Sequence, residues 1–278
     1  MNPGAPGDAP RRGTVDAMSR RRLDTLLAER GLAASRTSAA ASVRAGLVRV
    51  GSGGQRAEKP GQLIAEDSEL RVEERPRYVS RGGIKLENAL RTLDLSVEGR
   101  DCLDVGASTG GFTDCLLQHG AARVIALDVA HGQLDWGLRQ DPRVSVVERT
   151  NARHLRSDEL PYPPQLATID VSFISLAKVL PAIARCLGPG GELLALVKPQ
   201  FELGRGRVGK GGVVRDAEAR REAIVSAARA ASELDLDVVG FAPSGLPGPK
   251  GNRETFMLCA PGRSAIEDLE VAAREVEP

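Results

Sequence analysis

Cysteine and histidine are scarce in this chain: four cysteines and three histidines in 278 residues. Cys102, Cys115, Cys186 and Cys259 stand far apart, with no Cys-x-x-Cys pair and no histidine cluster beside them. That excludes a zinc site and a disulfide framework, and the expectation is no metal and four buried free thiols in a reducing cytoplasm. Long apolar runs are also missing; none approaches the ~20 residues of a membrane span, so no membrane partner is expected. The first 17 residues carry Pro, Gly and Ala without a hydrophobic segment, which excludes a secretory signal. Residues 1–19 are expected to be a disordered tail, with Met18 as a candidate start. Net charge is nearly absent at +1, so the total is silent about partners. The distribution is not. Between Arg20 and Arg49 lie seven arginines (20, 21, 22, 30, 36, 44 and 49) against Asp24 and Glu29, a local basic excess suited to a polyanion.

A hydrophobic content of 41% with 27% charged residues is enough to build a sizeable core. "RRLDTLLAERG" spaces Leu23, Leu26 and Leu27 as a helix ending at Gly31. "SRTSAAASVRAG" predicts a second helix capped by Ser35 and ended by Gly46. "LVRV", the turn "GSGGQ" and "ELRVEE" then read as a small hairpin sheet. The predicted domains are 20–76, a linker at 77–83 with Gly82 and Gly83, and 84–278. Strand candidates in the last are "CLDVG", "RVIALDV", "VSVVE", "LATIDVS", "ELLALVK", "LDVVGFA" and "ETFMLCA", most of them separated by helices, including a long one from Asp216 to about Leu234. This alternation predicts an α/β, doubly wound sheet. The helix-free Pro/Gly loop before the last strand predicts an antiparallel finish, so the seven strands resemble a Rossmann-like methyltransferase.

"CLDVGASTGGFTD" breaks an apolar run into glycines ahead of a helix. Such a turn either is structural or lets a ligand approach the backbone. Its Asp104, Gly106, Ala107, Ser108, Thr109, Gly110 and Gly111 do not follow the dinucleotide spacing; they resemble the first motif of S-adenosylmethionine-dependent methyltransferases. Asp128 ends the next strand about 20 residues on, where an acid grips ribose hydroxyls, and points to a nucleoside cofactor. Asn151 is either an adenine contact or a plain loop residue.

Charged residues also stand at strand ends: Asp170, Lys198 before Pro199, Glu254 at the head of the last strand, and Lys85 past the double glycine. A lysine in such an apolar setting needs a partner or a job, although any one of these is more often a surface salt bridge. Together they match in order the Lys-Asp-Lys-Glu tetrad of ribose 2′-O-methyltransferases. With "SRGGIKL", "DVGASTGGFTD", "LDVAHGQLDW", "ERTNAR", "DVSFISL", "LVKPQFE", "GKGGVV" and "LPGPKGN", the chain from about Arg20 onward closely resembles the TlyA family. These are ribosomal RNA cytidine-2′-O-methyltransferases whose members also carry the haemolysin name.

The resemblance implies S-adenosyl-L-methionine as cofactor, ribosomal RNA in ribosomal subunits as partner, action in the cytoplasm, and Lys85, Asp170, Lys198 and Glu254 as the tetrad. The segment over "RLDTLLAERGLAASRTSAA" resembles a small α+β RNA-binding domain first seen in a small-subunit ribosomal protein. Arg77-Tyr78-Val79 departs from the family's tryptophan before that valine. A ribose hydroxyl is a weak nucleophile that needs in-line placement. Lys198 is read as its base or polarising group, with Asp170 orienting it; burial and a second nearby lysine favour a neutral amine in general.

RNA contacts are expected from Arg20, Arg21, Arg22, Arg36 and Arg44, and from Arg205, Arg207 and Lys210 in a phosphate-gripping glycine loop. Phe173 and Phe201 are read as core or pocket lining, and Trp136 as packing. "SAIEDLEVAAREVE" predicts a helix capped by Ser264, with Glu267 at capping-box spacing and Ile266, Leu269 and Ala273 as its apolar stripe. It either seals the sheet edge or marks the family's longer class, which acts on both 16S and 23S RNA and confers capreomycin sensitivity. A membrane-active haemolysin and a small-molecule methyltransferase are the alternatives. The missing membrane features weigh against the first and the basic N-terminal segment against the second.

Overall fold

Arg20–Arg22 form a strand, β1, where the sequence pattern had suggested the opening of a helix. Its partner decides this: β1 pairs antiparallel with β4 (Leu63–Ala65), and Leu23 N–H donates to Gln62 O at 3.0 Å. The computed structural model describes residues 19–74, 76–209 and 211–278. The expected tail, Met18 and Lys210 lie outside the described residues, as does the Arg205 side chain. The chain divides into two compact units between Arg75 and Pro76.

In the N-terminal unit, α1 (Leu23–Glu29) buries Leu23, Leu26 and Leu27. Helix α2 (Arg36–Arg44) is capped by Ser35, whose hydroxyl accepts from Ser38 N–H at 3.1 Å. A three-stranded sheet follows in the order β3 (Gln55–Arg56), β2 (Val48–Val50), β5 (Leu70–Val72). Leu23, Leu27, Ala39, Val43, Val48 and Ala57 close a small core.

The C-terminal unit opens on α3 (Arg81–Thr92), whose N-cap Ser80 accepts from Gly82 N–H. The expected linker at 77–83 is therefore only partly a connector: Arg81, Gly82 and Gly83 are helical, and Tyr78 is buried with Leu86 and Phe112. Beyond it run β6 (Asp101–Val105), α4 (Gly111–Gln118), β7 (Arg123–Leu127), α5 (Trp136–Gln140), β8 (Val144–Val147) and β9 (Leu166–Ile169). Then come α6 (Leu180–Cys186), β10 (Glu192–Val197), α7 (Pro199–Glu202), α8 (Ala217–Ser232), β11 (Val238–Pro243), β12 (Thr255–Cys259) and α9 (Leu269–Val276). The seven strands stand in the order β11-β12-β10-β9-β6-β7-β8. From β10 to β8 every pairing is parallel, while β12 runs antiparallel to both β10 and β11. The strand order reverses at β6, where an open α/β sheet leaves a crevice at its carboxyl edge.

The last helix starts later than its cap residues had suggested. Asp268, not Ser264, is the N-cap, accepting from Glu270 and Val271 N–H. Ile266 N–H is taken by Val238 O at 2.8 Å, so the chain is still bound to the sheet edge where a helix capped by Ser264 would have begun. Of the expected stripe, Ala273 is buried and Ile266 and Leu269 pack against the core.

Candidate active site

Above the carboxyl ends of β6 and β9 the backbone comes too close for any side chain at residue 106. Gly106 has φ 86°, and a Cβ built there would lie 2.5 Å from Asp170 O. Gly106 and Ala107 N–H both donate to Leu127 O, and Ser108 N–H donates to Asp128 Oδ2 at 2.7 Å. The other Asp128 oxygen accepts from Ala130 N–H at 2.7 Å. Gly110, at φ 97°, caps α4. A Cβ on Gly111 would collide with Ser80 Oγ, so this glycine lets α3 approach α4.

The turn faces a cleft of about 650 Å³, within the range of small-molecule sites. Gly106, Ala107, Ser108, Thr109 and Gly111 line it; Gly110, Asp104, Asp128 and Asn151 do not. Asp104 is fully buried behind the turn, where Oδ2 accepts from the Thr113 N–H at 2.9 Å and hydroxyl at 2.7 Å. Loss of water raises its pKa to about 7 against the pull of those two donors. Asn151 is exposed, and its side chain accepts from Arg153 N–H at 3.0 Å.

The four expected tetrad residues line the same cleft. Lys85, on α3, meets Glu254 with Nζ 2.5 Å from Oε2, and both side chains are buried. Lys198, at the end of β10, meets Asp170 with Nζ 2.5 Å from Oδ1 and donates to Ser172 Oγ at 3.1 Å. Each lysine is thus matched by its own carboxylate, and both pairs belong to the lining of one cleft. Glu202 on α7 clamps the loops bearing the second pair, accepting from Ser175 Oγ at 2.7 Å and Leu176 N–H at 2.9 Å. Burial pushes its carboxyl up, partly opposed by those donors.

Sequence reasoning had missed Ser172 and Gln200, both in this lining. Gln200 Oε1 is buried without a hydrogen-bond partner among the described residues. Position right after Asp170 and Lys198 was the available signal for both. Also unforeseen was Asn252, whose side chain organises residues 212–214. Phe173 lines the cleft but is no core residue: it is 91% exposed at φ 65° and leans on Phe201 with ring centres 5.2 Å apart. Trp136 is 72% exposed, which corrects the packing role expected of it.

Most of the arginines expected to meet RNA are already paired within the protein. Arg207 meets Glu222 at 2.7 Å. In the N-terminal unit Arg21 meets Glu29 and Glu66, and Asp24 takes Arg22 at 2.7 Å and Arg36 at 3.6 Å. The Arg22 bond holds the buried Asp24 carboxyl down at about 2. Arg20 and Arg44 are exposed and make no ion pair among the described residues. No helix among them is long and apolar enough to cross a membrane.

Comparison with known proteins adds the following. Residues 78–261 match the family of FtsJ-like methyltransferases, and residues 21–70 match the S4 domain. The 16S/23S rRNA (cytidine-2′-O)-methyltransferase TlyA of Mycobacterium tuberculosis is 49% identical over 243 residues, covering 86% of this chain and 90% of that protein. Hemolysin A of Brachyspira hyodysenteriae is 40% identical over 237 residues, covering 84% of this chain and 97% of its own. A solved structure from Streptococcus thermophilus that bears a hemolysin name shares 43% identity at a TM-score of 0.70, covering 94% of this chain and 95% of that one.

Proposed function

The chain belongs to the TlyA family of ribosomal RNA methyltransferases, with an S4 domain ahead of an FtsJ-like methyltransferase domain, and from that premise we propose that it methylates cytidine 2′-hydroxyls in both 16S and 23S RNA, with Lys198 as proton acceptor or polarising group. The observation that carries the mechanism is the pair of buried lysine–carboxylate contacts, Lys85 with Glu254 and Lys198 with Asp170, on the wall of the cleft that the glycine turn opens.

The turn fits the cofactor. Gly106 lets the turn lie directly against Asp170 O, where no Cβ fits, and the Gly106–Thr109 stretch that lines the cleft would hold the nucleoside end. Each Asp128 oxygen accepts one backbone N–H and keeps a lone pair for a ribose hydroxyl. S-adenosylmethionine, when bound, supplies a methyl group activated by a positively charged sulfur. Lys198 Nζ sits where a ribose hydroxyl entering the cleft would meet it, with Asp170 and Ser172 fixing its direction. In its neutral form Nζ would accept the hydroxyl proton; in its charged form it would donate to the hydroxyl oxygen and hold it in place. Lys85 and Glu254 would keep their part of the lining charge-balanced and in place.

A small-molecule substrate would leave the S4 domain without a use, and a lytic role finds no spanning helix among the described residues. Ribosomal RNA as substrate implies action in the cytoplasm. Action on both subunits is supported by the name of the Mycobacterium tuberculosis relative and by the terminal helix α9. Mass mapping of ribosomal RNA from cells with and without the gene tests it. The expected result is one gene-dependent cytidine 2′-O-methyl in each subunit RNA; a methyl group missing from 23S RNA alone would sink the dual-substrate reading.

A further inference from the structure

Glu277 is the penultimate residue, yet it is only 4% exposed, an uncommon place for a carboxylate beside a chain end. Two guanidinium groups converge on its Oε1, Arg220 Nη2 at 2.8 Å and Arg253 Nη1 at 2.7 Å. Arg221 Nε donates to its main-chain carbonyl at 2.8 Å. The contacts extend inward. Arg220, itself buried, donates through Nη1 to Arg215 O at 2.6 Å and Val214 O at 3.3 Å. Val214 N–H is held by Asn252 Oδ1 at 2.8 Å, and Asn252 Nδ2 donates to Gly212 O at 2.8 Å. Asn252 O accepts from Gly248 N–H at 2.8 Å. Gly212, Gly248, Asn252 and Glu254 all line the cleft, and Arg253 sits between the last two.

A buried ion pair is weak evidence for stability, because desolvation offsets much of the attraction; what such a group supplies is one defined arrangement. Here a single carboxylate fixes two segments that have little regular structure of their own, residues 247–254 and 212–215. Glu254 is the first residue beyond Arg253 and directly precedes β12. Its distance to Lys85 therefore depends on where Arg253 is held.

We infer that Glu277 is a positioning residue for methyl transfer: from the end of the chain it holds Arg253 and Arg220 so that Glu254 meets Lys85 and the 212–215 segment closes on the cleft. The inference rests on the tetrad reading above. It differs from a mere seal of the sheet edge in predicting an effect on turnover with the fold and the cofactor site intact.

The test uses the full chain, tritiated S-adenosylmethionine and ribosomal subunits lacking the modification, with Glu277→Gln, Arg253→Ala, Glu254→Gln and the double variant Glu254→Gln/Glu277→Gln. Arg253→Ala covers the case in which Glu277→Gln fails to fold, since the Arg253 side chain is 59% exposed and the Arg220–Glu277 pair survives its loss. Glu277→Gln should lower kcat about 10- to 100-fold, the effect of roughly an ångström of misplacement. Arg253→Ala should lower it about 10-fold by the same argument. Calorimetric Kd for S-adenosylmethionine should stay within about two-fold of wild type, because the Gly106–Gly111 turn takes no part in these contacts. In the Glu254→Gln background, Glu277→Gln should cost no further single-turnover rate, the signature of a residue acting through Glu254. A folded Glu277→Gln with wild-type kcat overturns the inference; if that variant does not fold, wild-type kcat in Arg253→Ala does so. A fully multiplicative loss in the double variant also overturns it. An inactive Glu254→Gln beside an unaffected Glu277→Gln refutes the positioning role alone, whereas a fully active Glu254→Gln refutes the tetrad and the inference with it.

Discussion

Arg21 with Glu29 in the N-terminal unit and Lys85 with Glu254 in the C-terminal unit are contacts of nearly equal length, 2.6 and 2.5 Å. Their surroundings differ. The first pair is 37% and 47% exposed at its side chains, the second 9% and 1%. An exposed guanidinium adds little to stability by holding a carboxylate in water, and it can trade that carboxylate for a phosphate at small cost. A buried ammonium has no such freedom, because separating the pair strands a charge away from water at a cost of about 3–5 kcal/mol. On the proposed function, the N-terminal unit would keep such cations in reserve for RNA. The C-terminal unit uses its cations as fixed geometry.

The sharpest way to break that contrast is to remove a buried cation. Lys198→Ala should lower methyl transfer by about 10²–10⁴-fold, the range for a lost general acid–base group, while calorimetric S-adenosylmethionine binding survives. Turnover at the wild-type level would take Lys198 out of the mechanism. A smaller effect is expected from the exposed cations. Arg20→Ala with Arg44→Ala should weaken ribosomal RNA binding and reduce the slope of log affinity against log salt by about 2, one for each lost phosphate contact. The matched pair Arg21→Ala with Arg22→Ala should change the slope less, since those guanidiniums must first leave Glu29, Glu66 and Asp24. Equal slopes in the two double variants would remove the distinction between paired and unpaired arginines.

The smallest effect is on stability and concerns Asp104. Its folded pKa of about 7 lies above the unpaired carboxylate value, so the folded state holds a proton that the unfolded chain releases near pH 4. The stability this provides is fully present below about pH 4 and is lost as pH rises through about 7. Asp104→Asn should remove that dependence. Its melting temperature should gain on wild type by a few degrees between about pH 5 and pH 8. A constant difference across that range would mean that Asp104 is ionised throughout.

The seven sheet strands were legible because each is a short apolar run bounded by glycine, proline or charge, and the alternation with helices left one fold class. β1 was not legible. Three arginines carry no strand signature, and Arg20–Arg22 are extended because Leu63–Ala65 pair with them. The start of α9 was misread because Ser264 and Asp268 are both good caps, and only the bond from Ile266 N–H to Val238 O favours the second. Of the four charged residues of the cleft, three stood out at strand ends and Lys85 by its place just past the double glycine. Ser172, Gln200 and Asn252 did not, since a single polar residue in a loop or a four-residue helix has no periodic pattern, and only closeness to Asp170 and Lys198 pointed to the first two.

The sequence by itself determined the kinds of group available and their order: a lysine ahead of the first parallel strand, a glycine turn after it, an acid after the second, and a lysine and two carboxylates at later strand ends. It also determined that arginines gather before residue 50. Only the tertiary structure decided the pairing, Lys85 with Glu254 across 169 residues and Lys198 with Asp170 across the adjacent strands β10 and β9. Local propensity acts over a few residues, whereas these partners meet because the sheet sets β12 beside β10 and places α3 against the same edge of the cleft. The same holds for Glu277, an acid at the end of a chain in sequence and a buried anchor in the fold, because burial depends on which segments cross and not on position along the chain.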